Sequence, residues 1–154
     1  MKPLETTVEE VLRYAIHSEV ETRCYYQMMA ERAGSAAVRK RMLELADAEL
    51  VHRAKLERKY LDTVKREPPE SQPVTVELDA EIRDVDMTRA LKLSLERERD
   101  SESYYRFMAE RAPADSELAN LFFELADIEW KHKTDLQTEY ESTLTDPEQF
   151  FREL

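Results

Sequence analysis

Apolar side chains recur along this chain at the spacing of a helix. On the stretch 43–60, Leu45, Leu56 and Tyr60 are separated by whole helical turns and share one face. Similar periodicity covers four stretches, about residues 7–33, 35–65, 86–112 and 115–143. The pattern predicts four long amphipathic helices and therefore an all-α fold.

Local signals mark the ends of these predicted helices. Thr7 and Glu10 have the spacing of a capping box before the first helix, and Gly34 suits the end of that helix. Near the carboxyl terminus, Asp146 with Pro147 predicts a short last helix over residues 146–153.

The segment 66–86 breaks the helical pattern. It contains Pro68, Pro69 and Pro73, which forbid a continuous helix, and it is longer than a tight turn between helices requires. We interpret it as a crossover along the length of a bundle. Two short loops with one long crossover are typical of a ferritin-like four-helix bundle. The sequence thus predicts one domain over residues 1–154, with hairpin 1 at about 7–65 and hairpin 2 at about 87–143.

The two halves of the chain repeat one another. Residues 19–33, EVETRCYYQMMAERA, and residues 98–112, ERDSESYYRFMAERA, agree at eight of fifteen positions. ELADAELVH at 44–52 returns as ELADIEWKH at 124–132. We expect two similar hairpins packed about a pseudo-twofold axis, with matching inner faces.

Acidic residues interrupt each otherwise apolar face. An ionised glutamate in a protein core costs several kcal/mol unless something compensates its charge. Here each predicted inner face has one glutamate, and two faces also have a histidine three residues later. These six residues are Glu19, Glu49, His52, Glu98, Glu129 and His132.

A pair of divalent metal ions resolves this conflict. Four carboxylates balance the charge of two such ions, and neutral imidazoles add none. One glutamate from each of two helices, with a Glu-x-x-His pair from each of the others, is the ligand set of ferritin-like di-iron and di-manganese bundles. Such ligands suit iron or manganese better than copper.

On these residues the chain resembles the rubrerythrin family of ferritin-like proteins. The matching positions are Glu19 with Tyr26, Glu49 with His52, Glu98 with Tyr105, and Glu129 with His132. The resemblance implies a non-haem di-iron centre that reduces hydrogen peroxide to water, often in a homodimer. The six residues would be iron ligands, and Tyr26 and Tyr105 would lie beside the bridging carboxylates. Core packing alone is the alternative for these two tyrosines.

The chain departs from the family pattern in two respects. Rubrerythrins proper carry a four-cysteine rubredoxin domain, whereas Cys24 is the one cysteine here, so we expect a separate electron donor such as a rubredoxin or a reductase. Rubrerythrins also place a further glutamate where this chain has Ser101. We interpret the next residue, Glu102, as either an extra, movable ligand or a surface acid, and we favour an ion pair with Arg23 across the bundle.

The composition of the chain limits its binding partners and its location. The net charge of -11 argues against nucleic-acid binding. No apolar run reaches the length of a membrane span, and the amino terminus has no apolar signal region, so we expect a cytoplasmic protein. A single cysteine allows no internal disulfide, and we expect it to be buried.

Three functions remain open on this basis. The leading hypothesis is a di-iron peroxidase of the rubrerythrin type. The second is a ferroxidase or iron-handling protein that uses the same six ligands. The third is an interaction module whose metal site is structural or vacant.

Overall fold

The described part of the chain is helical. A computed structural model describes residues 6–114 and 116–145. Its helices are α1 (Val8–Glu31), α2 (Ala36–Val64), α3 (Met87–Arg111) and α4 (Glu117–Thr145). These ranges contain no β-strand, apart from an isolated bridge. The predicted all-α class is confirmed, and the element order is that of a ferritin-like fold. The short helix predicted at 146–153 lies outside the described residues.

The helices form two compact units. One contains α1, α2 and the crossover, up to residue 86, and the other contains α3 and α4. We keep the names hairpin 1 for α1 with α2 and hairpin 2 for α3 with α4. Among the described helices, none has both the length and the apolar character that crossing a membrane requires.

The start of α1 follows the sequence signal in part. The Thr7 hydroxyl accepts a hydrogen bond from the backbone N–H of Glu10 at 3.2 Å, as an N-cap should. The Glu10 carboxylate accepts from the Thr6 hydroxyl at 2.8 Å, so it satisfies a side chain of the preceding segment. Ser35 caps α2 in the same way, accepting from the N–H of Val38 at 3.3 Å.

The crossover begins near the amino end of α1. Lys65 ends α2 in the left-handed conformation, with φ of 67°. Tyr60, which is fully buried, donates a hydrogen bond to Glu9 Oε1 at 2.7 Å. Arg66, the next residue of the crossover, forms an ion pair with the same oxygen of Glu9.

The crossover ends near the carboxyl end of α1. The N–H of Gly34 donates to the carbonyl of Val85 at 2.8 Å, and the N–H of Val85 donates to the carbonyl of Arg32 at 3.0 Å. A Cβ at Gly34 would lie 2.8 Å from the carbonyl oxygen of Asp84, so the only glycine of the chain allows this close approach. The crossover therefore follows the length of hairpin 1.

Hairpin 2 differs slightly from its predicted limits. The Ser116 hydroxyl accepts from the N–H of Ala119 at 3.1 Å and caps α4. The helix continues to Thr145, two residues past the predicted end at 143. The predicted start near Asp115 falls on a residue outside the described ranges.

Candidate metal centre

Hairpin 1 brings two carboxylates and one imidazole together. Glu19 comes from α1, and Glu49 and His52 come from α2. His52 Nδ1 lies 3.4 Å from Glu49 Oε2 and 3.7 Å from Glu19 Oε2. One ligand atom from each of the three residues lies within 4.8 Å of the others. Both glutamates are buried, with exposures of 8% and 4%.

Hairpin 2 repeats this arrangement. Glu98 on α3 faces Glu129 and His132 on α4, and one ligand atom from each again lies within 4.8 Å of the others. His132 Nδ1 is 3.7 Å from Glu98 Oε2 and 3.7 Å from Glu129 Oε2. The repeat in sequence is therefore a repeat of side-chain geometry. We refer to the two groups as trio 1 and trio 2.

Helix periodicity explains how each trio forms. A glutamate and a histidine three residues apart lie on the same face of a helix, so α2 and α4 each present such a pair. The partner helix of each hairpin then supplies the third side chain across a short loop. Because both steps are local, the sequence pattern was sufficient to find all six residues.

The donor set of trio 1 fits a metal ion. Glu19 Oε2 is buried and has no hydrogen-bond partner among the described residues. Such a group is costly to bury unless a cation compensates it. Carboxylate oxygens and an imidazole nitrogen are donors that iron and manganese accept. The residues of this chain thus fit the metal that the sequence predicts, whereas binding by these six residues stays a prediction.

The pKa of His132 is strongly raised. Burial of the imidazole opposes its protonation, but the two carboxylates beside it, Glu129 and Glu98, outweigh burial and raise the pKa of His132 to about 10. Without a metal, the proton on this imidazole compensates part of the carboxylate charge. A metal ion would have to replace that proton.

The two tyrosines named from the sequence are both buried. Tyr26 is fully buried and Tyr105 is 3% exposed. Each ring meets a neighbouring tyrosine edge-on, with centroids 5.6 Å apart for Tyr25 and Tyr26 and 5.5 Å apart for Tyr104 and Tyr105. This geometry supports the packing interpretation, and their predicted place beside metal-bridging carboxylates stays a prediction.

Glu102 has a partner within its own hairpin that the sequence analysis did not name. Glu102 is buried, and both of its carboxylate oxygens accept hydrogen bonds from Lys133 Nζ, at 3.0 and 3.1 Å. The ion pair expected with Arg23, which lies in the other compact unit, stays a prediction, and Arg23 Nε is buried and without a hydrogen-bond partner among the described residues. The sequence held one signal for the pair with Lys133, because a basic residue follows the histidine in both Glu-x-x-His motifs: Arg53 in one half and Lys133 in the other.

Other repeated or titratable residues lie outside the trios. Glu44, Asp47, Glu124 and Asp127 are all exposed. Cys24 was expected to be buried, but it is half-buried.

The fold and site define an all-α protein with two buried carboxylate–histidine groups that could hold metal. A family profile described as Rubrerythrin matches residues 10–140, which is most of the chain. The chain belongs to the rubrerythrin family. No curated protein and no solved structure matches it.

Proposed function

We propose that this protein is a di-iron carboxylate oxidoreductase that reduces hydrogen peroxide to water. One observation carries the proposal: a chain of the rubrerythrin family builds the same group of two glutamates and one histidine twice. Oxygen ligands with one imidazole suit iron, and manganese accepts the same donors.

Each trio would hold one ion. When bound, two ferrous ions would supply the two electrons that, with two protons, convert one hydrogen peroxide to two molecules of water. Glu19 and Glu49 in trio 1, and Glu98 and Glu129 in trio 2, are fixed by burial, which keeps their oxygens in place. Tyr26 and Tyr105, each held by a neighbouring ring, would support the ligand carboxylates through their hydroxyl groups.

The electrons would come from a separate donor, such as a rubredoxin or a reductase. Cys24 alone cannot build a four-thiolate iron centre within this sequence. We further propose a homodimer, as the family resemblance suggested, that works in the cytoplasm.

A comparison of oxidants tests the peroxidase function. The full chain is loaded with ferrous iron without oxygen, and the absorbance of the oxidised centre is followed after adding peroxide or dioxygen. We expect rapid oxidation by peroxide that a chemical reductant reverses over repeated additions. The exposed Glu44 offers a matched control, since Glu44→Gln should oxidise as the parent does whereas Glu49→Gln should not. Loaded protein that peroxide does not oxidise would refute the proposal.

A second candidate is oxidation of ferrous iron as a substrate. Ser101, where rubrerythrins have a further glutamate, favours it. In the same experiment, faster oxidation by dioxygen than by peroxide, with release of the ferric product, would identify a ferroxidase. A chain that retains no iron or manganese after expression with both metals would instead be an interaction module.

A further inference from the structure

A large open pocket lies over trio 1 in hairpin 1. Its volume is about 510 Å³, within the range of sites for small organic ligands. The crossover forms one wall with residues 70–74, and α1 and α2 form the others. Glu19 and Glu49 both line it, so the pocket opens directly onto two of the three proposed ligands of trio 1.

Two guanidinium groups line the same pocket. Arg23 is half-buried, and its Nε has no hydrogen-bond partner among the described residues. Arg53 donates from a terminal nitrogen to the Ser71 hydroxyl at 3.4 Å, which connects α2 to the crossover. Its Nε is 3.1 Å from Glu57 Oε1, an ion pair without hydrogen-bond geometry. Arg23 therefore keeps an unused buried donor.

The corresponding positions of hairpin 2 are neutralised internally. In the repeat, Glu102 replaces Arg23 and Lys133 replaces Arg53. These two residues form a close ion pair with contacts of 3.0 and 3.1 Å. Hairpin 1 thus carries two cations where hairpin 2 carries a cation and an anion. The repeat puts these residues at equivalent positions of the two hairpins, so the hairpins differ here in the charge of their side chains.

The charge of the pocket depends on the metal. Besides Arg23 and Arg53, it is lined by the carboxylates of Glu19, Glu49 and the exposed Glu70. A divalent ion on trio 1 would neutralise the first two carboxylates. Glu70 would remain as the acid of the lining, and Arg53 is already paired with Glu57 at 3.1 Å, so the unpartnered Nε of the half-buried Arg23 is the donor that favours an anion.

We propose that this pocket binds an organic acid through its carboxylate group, with Arg23 and Arg53 as the recognising residues. Val20, Pro73 and Val74 add apolar surface that suits a short hydrocarbon body beside the charged group. The inference rests on metal binding by trio 1, which the proposed function shares, but it does not depend on the peroxidase reaction. The bound acid would sit beside Glu19 and Glu49.

Calorimetric titration of the zinc-loaded full chain tests this proposal, because zinc performs no redox chemistry. The probes are hexanoate, acetate and inorganic phosphate. We expect hexanoate to bind most tightly, and we expect Arg23→Gln and Arg53→Gln each to weaken it about tenfold, the effect of losing one charge-assisted hydrogen bond. The control is Arg106→Gln in hairpin 2, where the side chain of Arg106 is 41% exposed. This variant loses a guanidinium group outside the pocket and should bind hexanoate as the parent does.

Several results would overturn the proposal. The first is that hexanoate shows no saturable binding. The second is that the parent and both pocket variants bind hexanoate equally at equal zinc content. The third is that phosphate binds as tightly as hexanoate. Arg23→Glu copies the charge pattern of hairpin 2 and should abolish hexanoate binding through a new pair with Arg53. Binding retained in that variant would also contradict the assignment.

A measurement on the unaltered chain avoids any folding defect in the variants. Cys24 lines the pocket and is the one cysteine of the sequence. Iodoacetate, itself a carboxylate, should alkylate the Cys24 thiol of the zinc-loaded protein faster, relative to neutral iodoacetamide, than it alkylates free cysteine. Hexanoate should suppress this preference. A rate ratio equal to that of free cysteine, insensitive to hexanoate, would refute the carboxylate site even if the peroxidase function holds.

Discussion

Lys133 Nζ contacts both carboxylate oxygens of Glu102, at 3.0 and 3.1 Å, within hairpin 2. Glu102 is 6% exposed, so this ion pair replaces the water that its carboxylate loses on burial. Arg106 adds a longer contact, at 3.8 Å, to one of the same oxygens. Glu102 is therefore bound by cations of its own hairpin. To act as a metal ligand, it would have to break its ion pair with Lys133.

Glu102→Gln should reduce stability without removing metal. The variant leaves Lys133 half-buried with a weaker partner, and we expect the free energy of unfolding in urea to fall by about 1–3 kcal/mol. Metal content after dialysis should equal that of the parent. In a double-mutant cycle with Lys133→Met, the two effects should be strongly non-additive. Loss of bound metal in Glu102→Gln would show instead that Glu102 is a ligand.

Glu49→Gln should remove metal from trio 1. The substitution replaces one of two carboxylates by a neutral amide, and metal affinity depends on charged donors. We expect the metal content per chain, measured by elemental analysis, to fall by about half or more. A fall to nearly nothing would support the sequence-based expectation that both halves serve one centre.

The control for this prediction is Glu44→Gln on the same helix. Glu44 is exposed and pairs with Arg41 at 3.3 Å, so its loss should not change metal content. Full metal content in both variants would show that Glu49 is not a ligand.

Removal of metal should make stability depend on His132. Its pKa is raised from 6.5 to about 10 in the folded chain, so the folded state holds this proton more tightly than the unfolded state. The stability from this group is complete below about pH 6.5 and is lost as the pH rises through about 10. Urea unfolding of metal-free protein should show this decline, and His132→Gln should show a smaller one. Equal declines in both proteins would contradict the assignment.

Tyr60→Phe should weaken the junction between α2 and the start of α1. The substitution removes the hydrogen bond of 2.7 Å to Glu9 from a fully buried ring. We expect a loss of about 1 kcal/mol in the free energy of unfolding. Tyr140 is the half-buried counterpart in the repeat, and Tyr140→Phe should cost less. Equal losses would mean that the bond to Glu9 contributes nothing measurable.

Gly34→Ala should loosen the end of the crossover. The new Cβ would meet the carbonyl oxygen of Asp84 at 2.8 Å, and backbone atoms cannot move aside cheaply. We expect a loss of about 1–3 kcal/mol in the free energy of unfolding. Ala114→Gly, in the exposed loop of hairpin 2, is a control for backbone entropy and should cost about 1 kcal/mol or less. No loss in Gly34→Ala would show that the crossover does not dock here.

The helices and the six trio residues could be predicted from the sequence because both depend on local geometry. Helical periodicity places Glu49 and His52 on one face wherever α2 lies. Thr7 and Ser35 could likewise be recognised as caps, since each bonds to a backbone N–H three residues later. The repeat then extended these local inferences from one half of the chain to the other.

Only the tertiary structure decided the contacts that follow neither the helix period nor the repeat. Lys133 lies 31 residues from Glu102, and the sequence alone suggested Arg23 instead. Likewise, the crossover comes back to Gly34, and its residues 70–74 enclose a pocket with Arg23 and Arg53. Such contacts depend on the path of a long irregular segment and on side-chain rotamers, which local periodicity does not specify. The sequence determined the two trios, and the fold determined what surrounds them.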